Sequence, residues 1–324
     1  MSPVTRSRPR RRTALVTPLL LAGCLGAVPA LAGCAAFSDD DDGTGSAPRV
    51  VAAFYPLQYA AERVAGDLAE VENLTQAGKE PHDLELTINE TALVANASVV
   101  VYEHEFQPAV DAAVDENAEG EVLDVSDAAG LVPVEEEEGH EEEEEGHDEH
   151  GELDPHFWLD PLRMADVGDA IADRLAEVDP DNADEYGANA ADLRADLERL
   201  DAAYTSGLSD CERDTIVVSH DAFGYLGRRY GIHLAPIAGL SPDAEPTAAD
   251  LARLQDLIED EGVTTVFSER LAPPRLSRTL AEDMGITTEI LDPIEGLTDE
   301  TAGEDYLSVM EQNLEALERA NGCR

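Results

Sequence analysis

Basic residues are scarce in this chain. Of its 324 residues, 21 are lysine or arginine and 71 are aspartate or glutamate, which gives a formal net charge of −50 at pH 7. Because no basic patch is available to neutralise phosphates, nucleic acid is excluded as a partner. Such a surface attracts cations, although acids spread along every predicted helix also suit a general solubility or salt-tolerance role.

Signatures of several enzyme classes are missing as well. The sequence has no HExxH, no GxSxG and no glycine-rich loop of the phosphate-binding type. A zinc hydrolase would need an open coordination position and a general base. Asp221, beside His220, could be imagined as that base, but nothing in the sequence places it next to a bound water. We therefore expect a protein that is not an enzyme.

A long uninterrupted apolar run is also absent. The most apolar stretch, Ala14 to Leu31, is broken by two prolines and is short for a membrane span. Five arginines precede it and it ends in Leu-Ala-Gly-Cys, a layout that predicts an export signal over residues 1–33. Its last residues resemble a bacterial lipobox, so Cys34 is expected to carry lipid. Leu-Ala-Gly-Cys also ends at Cys24, which is the competing lipidation site but leaves a shorter apolar region.

The expected mature protein is therefore a lipid-anchored one on the extracytoplasmic face of the cell membrane. Residues 34–48 are rich in Asp, Gly and Ser and read as a flexible tether. Removing residues 1–33 leaves 16 basic and 71 acidic residues, a formal charge of −55.

Cysteine is rare, with four in the whole chain. Once the export signal and the lipidated residue are set aside, Cys211 and Cys323 remain. Two cysteines in an exported domain favour a disulfide, and two free thiols are the alternative. The bridge would attach the C-terminal helix to the beginning of the second half of the chain.

What is present is an alternation of strand-like and helix-like segments. The predicted helix Thr247–Glu261 places Leu251, Leu254, Leu257 and Ile258 on one face. Strand–helix alternation at this spacing predicts an α/β fold with mainly parallel sheets flanked by helices. The predicted strands are Val50–Phe54, Ser98–Tyr102, Glu121–Val125, Thr215–Ser219, Val263–Phe267 and Ile286–Leu291.

Two features divide this pattern into halves. Residues 135–152 form an acidic, histidine-containing run that cannot bury a core and is expected to be a surface loop. A long helix is predicted from Pro180 to Leu208, with apolar residues every three or four positions. We expect two α/β lobes joined by one long helix. The boundaries predicted are an N-terminal lobe over 49–165, linking helices over 166–210 and a C-terminal lobe over 211–324.

Eight histidines provide candidate metal ligands, and three lie in turn-like contexts. His82 follows a proline, His156 lies between two prolines, and His220 ends a β-branched run where a loop begins. A histidine at the carboxyl end of a strand is where α/β folds place ligand groups. Three imidazoles that converged between the lobes would suit zinc in tetrahedral geometry. His104 and His233 have no such context and read as surface or structural residues.

The ordered motifs around these histidines resemble one family. They are PHDLELT, DPHFWLDP, SHDAFGYLGRRYG, AGLSPDAEPTAADLARL, LDPIEGLT and YLSVMEQNLEAL, running from about residue 50 to the C-terminus. The set is similar to the zinc-specific solute-binding proteins of metal ABC importers, the ZnuA-type branch of the cluster A-I family. No single motif is specific, but the ordered set is.

The resemblance implies a function and a ligand set. The protein is expected to be a monomer that captures Zn²⁺ between two lobes and delivers it to a membrane permease driven by a separate ATPase. Its implied ligands are His82, His156 and His220, with Asp292 or a water in fourth place, and Glu269 as an acceptor that orients an imidazole. A manganese branch typically has glutamate where His220 stands, so zinc is preferred over Mn²⁺ or Fe²⁺.

Two further implications concern the acidic run and the rival functions. The run resembles the His-rich loop of zinc members, so His140, His147 and His150 are expected to capture metal weakly near the cleft. A Mn²⁺ or Fe²⁺ carrier of the same family and a surface adhesin with a structural zinc site are the alternatives.

Overall fold

The computed structural model describes residues 47–134 and 153–324. The predicted export signal, the lipidation site at Cys34 or Cys24, most of the tether and His140, His147 and His150 lie outside these residues. Among the described residues, none of the helices has the length and apolar character needed to cross a membrane.

Two four-stranded sheets form the frame, and every strand pair in them is parallel. The first lobe consists of β1 (Arg49–Ala52), α1 (Tyr55–Ala65), β2 (Glu70–Asn73), α2 (Ile88–Asn96), β3 (Val99–Tyr102), α3 (Pro108–Asn117), β4 (Glu121–Asp124) and α4 (Ser126–Ala129). Its sheet order is β2-β1-β3-β4.

Two long helices follow the first lobe. They are α5 (Pro161–Val178), preceded by a 3₁₀ turn at Phe157–Leu159, and α6 (Ala183–Gly207), preceded by a 3₁₀ turn at Pro180–Asn182. The second lobe consists of β5 (Thr215–Val218), α7 (Gly224–Tyr230), β6 (His233–Pro236), α8 (Ala248–Glu261), β7 (Thr265–Ser268), α9 (Arg275–Met284), β8 (Thr287–Ile290) and α10 (Tyr306–Asn321). Its sheet order, β6-β5-β7-β8, repeats that of the first.

Helix α6 is the long connection that the sequence predicts. Its 25 residues correspond to about 38 Å at 1.5 Å per residue. Near its start Asn189 donates to the Val64 carbonyl of α1 at 2.9 Å, and near its end the Tyr204 hydroxyl donates to the Met310 carbonyl of α10 at 2.7 Å. The helix thus reaches from one lobe to the other.

Helix α5 lies along α6, and one glycine permits their close approach. A Cβ built on Gly168 would meet Leu193 Cδ2 at 2.9 Å, too close for any larger residue without a shift. Arg194 makes ion pairs with Asp166 and Asp169 on the outer side of the same contact. Helix α5 therefore packs along α6, the long helix that connects the lobes.

The carboxyl-terminal edges of both sheets face the space between the lobes. In both sheets the strand order reverses between β1 and β3, or between β5 and β7, which are the positions where open α/β sheets place ligands. Loops that leave these edges carry the residues described next.

The predicted disulfide is present in the structure. Cys211 and Cys323 are bonded across 112 residues of sequence. Cys323 follows α10 and Cys211 precedes β5, so the bond fastens the end of the last helix to the start of the second sheet.

Candidate metal centre

Four potential metal ligands converge between the lobes: His82, His156, His220 and Glu295. One ligand atom from each lies within 4.8 Å of every other. Each comes from a different segment, and three of the four residues are fully buried or nearly so. The structure thus brings the three sequence-predicted histidines together.

Glu295 lies close to all three histidines of this cluster. Its Oε1 lies 3.4 Å from Nε2 of His82, 3.4 Å from Nε2 of His156 and 3.2 Å from Nε2 of His220. These contacts are not aligned as hydrogen bonds, so the three ring nitrogens and both carboxylate oxygens are buried without a partner among residues 47–134 and 153–324. Buried polar atoms are normally paired, and five orphans around one point indicate a site built for a cation.

The spacing also fits one coordination geometry. Four ligands held tetrahedrally at about 2.0–2.1 Å from a zinc ion are separated from each other by about 3.3–3.4 Å. The nitrogen-to-oxygen distances of 3.2–3.4 Å match that edge length. Three of the six ligand-to-ligand distances thus match a tetrahedral zinc site, and all four ligand atoms lie within 4.8 Å of one another.

Two of the imidazoles are oriented by carboxylates on their other nitrogen. His156 Nδ1 lies 2.9 Å from Asp154 Oδ1, and His220 Nδ1 lies 2.5 Å from Glu269 Oε1. A carboxylate on Nδ1 favours the tautomer with the proton there, which leaves Nε2 free to bind metal. Glu269 also accepts from the Ser219 hydroxyl. Its contact with His220 is the one expected from the sequence.

The carboxylates decide the charge state of the rings. Burial disfavours the imidazolium of His220, but Glu269 and Glu295 outweigh burial and raise its pKa to about 10. Burial likewise opposes charge on His156, yet Asp154 and Glu295 raise its pKa. Burial would raise the pKa of Glu295, but the surrounding imidazoles hold it well below its usual value. Without metal, His220 therefore holds a proton at neutral pH that a cation must displace.

Asp292, the fourth ligand proposed from the sequence, is not among the clustered residues. Its Oδ2 makes an ion pair with Arg270 Nε at 3.0 Å, and its Oδ1 accepts from the Ile294 amide at 2.8 Å. Burial raises the pKa of Asp292 to about 6. The carboxylate that enters the cluster comes from Glu295 instead, three residues later in the same LDPIEGLT motif.

Backbone conformation explains why Glu295, rather than Asp292, enters the cluster. Ile294 has a φ of 60°, a left-handed conformation that is strained for a β-branched residue. Trp158 fixes the same turn by donating from Nε1 to the Pro293 carbonyl at 2.7 Å. The strained turn directs Glu295 to the imidazoles and leaves Asp292 facing Arg270. The sequence signal for Glu295 was a second acid after a predicted strand.

The other two histidines of the described residues lie apart from the centre. His104 is more than half exposed and contacts Asp111 at 3.3 Å, and His233 is exposed on β6. The residues on either side of the acidic run lie near the centre, since Pro133 forms a β-bridge with Leu153, next to Asp154.

Comparison with known proteins agrees with this fold. Residues 50–320 match the family described as zinc-uptake complex component A, periplasmic (ZnuA), and the chain belongs to that family. It is 40% identical over 276 residues to the zinc-binding lipoprotein AdcA of Streptococcus pneumoniae, which covers 83% of this chain but 55% of AdcA. The chain thus spans about half the length of that relative.

Solved structures show which half is matched. The Zn(II)-bound ZnuA-like domain of Streptococcus pneumoniae AdcA superposes with a TM-score of 0.71 at 36% identity, over 85% of this chain and 98% of that domain. The laminin-binding adhesin Lmb of Streptococcus agalactiae, as a mutant, gives a TM-score of 0.74 at 27% identity, over 85% of this chain and 99% of that one.

Proposed function

We propose that this chain is the extracytoplasmic solute-binding component of a zinc importer and binds Zn²⁺ through His82, His156, His220 and Glu295. The observation that carries the proposal is the convergence of four ligand atoms within 4.8 Å of one another, none of which has a hydrogen-bond partner in the described part of the chain. Family membership and the zinc-bound relative support the same metal. Zinc is the cargo here, held until it is passed on.

Ligand chemistry favours zinc over the alternatives. Three imidazoles and one carboxylate suit zinc, whereas Mg²⁺, Ca²⁺ and Mn²⁺ prefer oxygen ligands. Four protein ligands also fill a tetrahedral shell, while catalytic zinc sites keep a position open for water or substrate. The donor set therefore supports binding and transport rather than catalysis, and makes Mn²⁺ or Fe²⁺ the less favoured cargo.

The partners follow from the family's description as a component of an uptake complex. A binding protein of this kind passes its metal to a membrane permease, with a separate ATPase supplying energy. We propose that it works as a monomer held at the membrane by lipid on Cys34. An adhesin role, which the likeness to the laminin-binding adhesin Lmb raises, has no support from the geometry of this centre.

The acidic run is proposed to feed the centre. The residues that flank the run meet at the Pro133–Leu153 bridge, and Asp154 there contacts the ligand His156. Histidines and carboxylates between these residues would hold zinc without fixed geometry and raise its concentration nearby. His140, His147 and His150 are the residues proposed for this role.

Zinc titration of matched variants tests the proposal. The intact protein should bind one Zn²⁺ tightly, and His220→Ala should weaken binding by more than about a hundredfold, beyond the usual loss for a residue that only orients a ligand. Deleting residues 135–152 should leave this tight affinity nearly unchanged. Equal losses in the two variants would contradict the assignment of His220.

A second pair decides the fourth ligand. Glu295→Gln keeps the shape but weakens a carboxylate ligand, whereas Asp292→Asn makes the same chemical change three residues earlier. Zinc affinity measured against a chromophoric chelator should fall strongly only for Glu295→Gln. A larger loss for Asp292→Asn would restore Asp292 as the ligand. Competition with Mn²⁺ in the same assay tests the choice of metal.

A further inference from the structure

The three histidines of the centre are not held in the same way. His156 and His220 each have a carboxylate on Nδ1 and side chains that are 0% exposed. His82 is 12% exposed, and within the described part of the chain its Nδ1 has no hydrogen bond. His82 therefore lacks the orienting carboxylate of the other two rings, and its position depends on packing and on the backbone of its loop.

The backbone of the His82 turn is held by a buried amide. Gln107, which precedes α3 and is 1% exposed, donates from Nε2 to the carbonyl of Pro81 at 3.1 Å. The same nitrogen donates to the Thr75 hydroxyl at 3.0 Å. Thr75 in turn donates to the Ala53 carbonyl at the end of β1 at 2.8 Å. One side chain thus connects the start of the loop, its ligand turn and the first sheet.

The neighbouring aromatic ring strengthens this arrangement. Phe106 packs edge-on against His82, with ring centroids 4.7 Å apart. The residue before it, Glu105, has a φ of 68°, and its amide is held by both carboxylate oxygens of Asp111. This turn after β3 presents Phe106 to the ring and Gln107 to the backbone on either side of the same histidine.

We propose that Gln107 is a positioning residue for metal binding that acts through His82. This inference rests on the proposed zinc site. Gln107 keeps the loop in the conformation in which His82 faces Glu295, so its loss lowers the populated fraction of the competent site. Apparent affinity falls in proportion to that fraction.

The chemistry of the position requires an amide. A single Nε2 supplies two donors, and both are used. An ionised glutamate would offer no donor and would bury a charge, and methionine would fill the volume without donating. Two hydrogen bonds of ordinary strength correspond to a weakening of roughly tenfold to a hundredfold when they are lost.

The test is a double-mutant cycle in the full-length protein. Zn²⁺ affinity is measured for Gln107→Met, His82→Ala and the double variant, with folding checked by circular dichroism. Gln107→Met should weaken binding roughly tenfold to a hundredfold alone and by almost nothing further in the His82→Ala background. Independent losses that add in the double variant would overturn the proposal, as would an unchanged affinity in Gln107→Met.

Two further variants exclude a merely structural effect. Gln76→Met makes the same substitution on the exposed part of this loop, where the side chain contacts Glu90, and should leave affinity unchanged. Thr75→Val keeps the shape, spares the Pro81 bond and should give a smaller loss that also vanishes with His82→Ala. A Gln76→Met loss as large as that of Gln107→Met would overturn the proposal.

Failure of the proposed function is recognised separately. If the intact protein bound no Zn²⁺, or if His82→Ala left its affinity unchanged, the zinc site and the role of Gln107 would both be wrong. If zinc binding depended on His82 but not on Gln107, the site would stand and the positioning role alone would fall.

Discussion

Both lobes carry a four-stranded parallel sheet of the same strand order, but the two sheets are covered differently. Residues on both faces of the first sheet belong to one core that continues through α5, α6 and α10. The second sheet is divided: Ile216 and Val218 of β5 face that shared core, whereas Val217 faces a small separate core with α8 and α9. The first lobe, the linking helices and the inner face of the second sheet thus share one hydrophobic core. The outer face of the second sheet has a separate, smaller core with α8 and α9.

The metal ligands are distributed differently between the two lobes. The second lobe supplies His220 and Glu295, both buried, and Glu269, which fixes His220. The first lobe supplies His82 on a loop that is more exposed and held through its backbone. Both ligands of the second lobe are therefore buried, whereas the first lobe contributes the more accessible His82, and the segment that follows this lobe contributes the buried His156.

The largest expected difference concerns the cores. Leu193→Ala, in α6, should cost about 2–5 kcal/mol of unfolding free energy because Leu193 is fully buried against Gly168 of α5, which has no side chain to fill the cavity. Ile258→Ala, in the small core, should cost less and act locally. Hydrogen exchange measured by mass spectrometry should show lost protection throughout the protein for Leu193→Ala and mainly in α8 and α9 for Ile258→Ala. Equal losses of protection throughout the protein in both variants would contradict the distinction between the two cores.

The disulfide should matter next. Replacing Cys211 and Cys323 by serine removes a closure across 112 residues, which should cost about 2–4 kcal/mol. Urea unfolding of the double variant measures the loss. Zinc affinity serves as the control and should change little, because the bond lies away from the ligands. A strong loss of affinity would show that the position of α10 controls the centre.

The carboxylates behind the imidazoles give a smaller effect. Asp154→Asn and Glu269→Gln keep the side-chain shapes but remove the charges opposite His156 and His220. Each should lower zinc affinity by about tenfold to a hundredfold, with Glu269→Gln the more severe because its contact is the shorter, 2.5 Å against 2.9 Å. Competition titrations measure both losses of affinity. A greater loss for Asp154→Asn would contradict the expectation that the Glu269–His220 contact contributes more to zinc binding.

The pH dependence is expected to be the mildest effect. His220 has its folded-state pKa raised to about 10, above its ordinary 6.5, so in the metal-free protein its protonation stabilises the fold fully below pH 6.5 and is lost as pH approaches 10. Zinc binds the neutral ring, so zinc affinity increases as the ring loses its proton. The rise in Tm caused by zinc should therefore be larger at pH 8 than at pH 6. A smaller rise at pH 8 would contradict this.

The sequence predicted the buried strands well because β-branched residues mark them. It missed β2 and β6, whose sequences EVEN and HLAP lack that pattern. Both are edge strands in the sheet order, so pairing with a central neighbour rather than their own composition defines them. The long helix was expected, but its α5 partner depends on a contact at Gly168 that periodicity does not reveal.

At the centre, motif context was enough to find the three histidines but not the acid between them. Asp292 and Glu295 are both plausible carboxylates after a strand. The choice depends on the left-handed turn at Ile294 and on the Arg270 ion pair, which come from chain segments distant in sequence. Likewise, nothing in the residues around Gln107 indicates that its amide reaches Pro81.

The last helix has a consequence for the order in which the protein is completed. Tyr306, at its start, stacks on Tyr59 of the first lobe and donates to the Trp158 carbonyl at 2.5 Å, while Cys323 beyond its end joins Cys211 of the second lobe. Glu295 precedes this helix closely. A chain that is still being synthesised or exported therefore has its three histidines long before its carboxylate, and it can assemble the four ligands only after residue 295 has emerged.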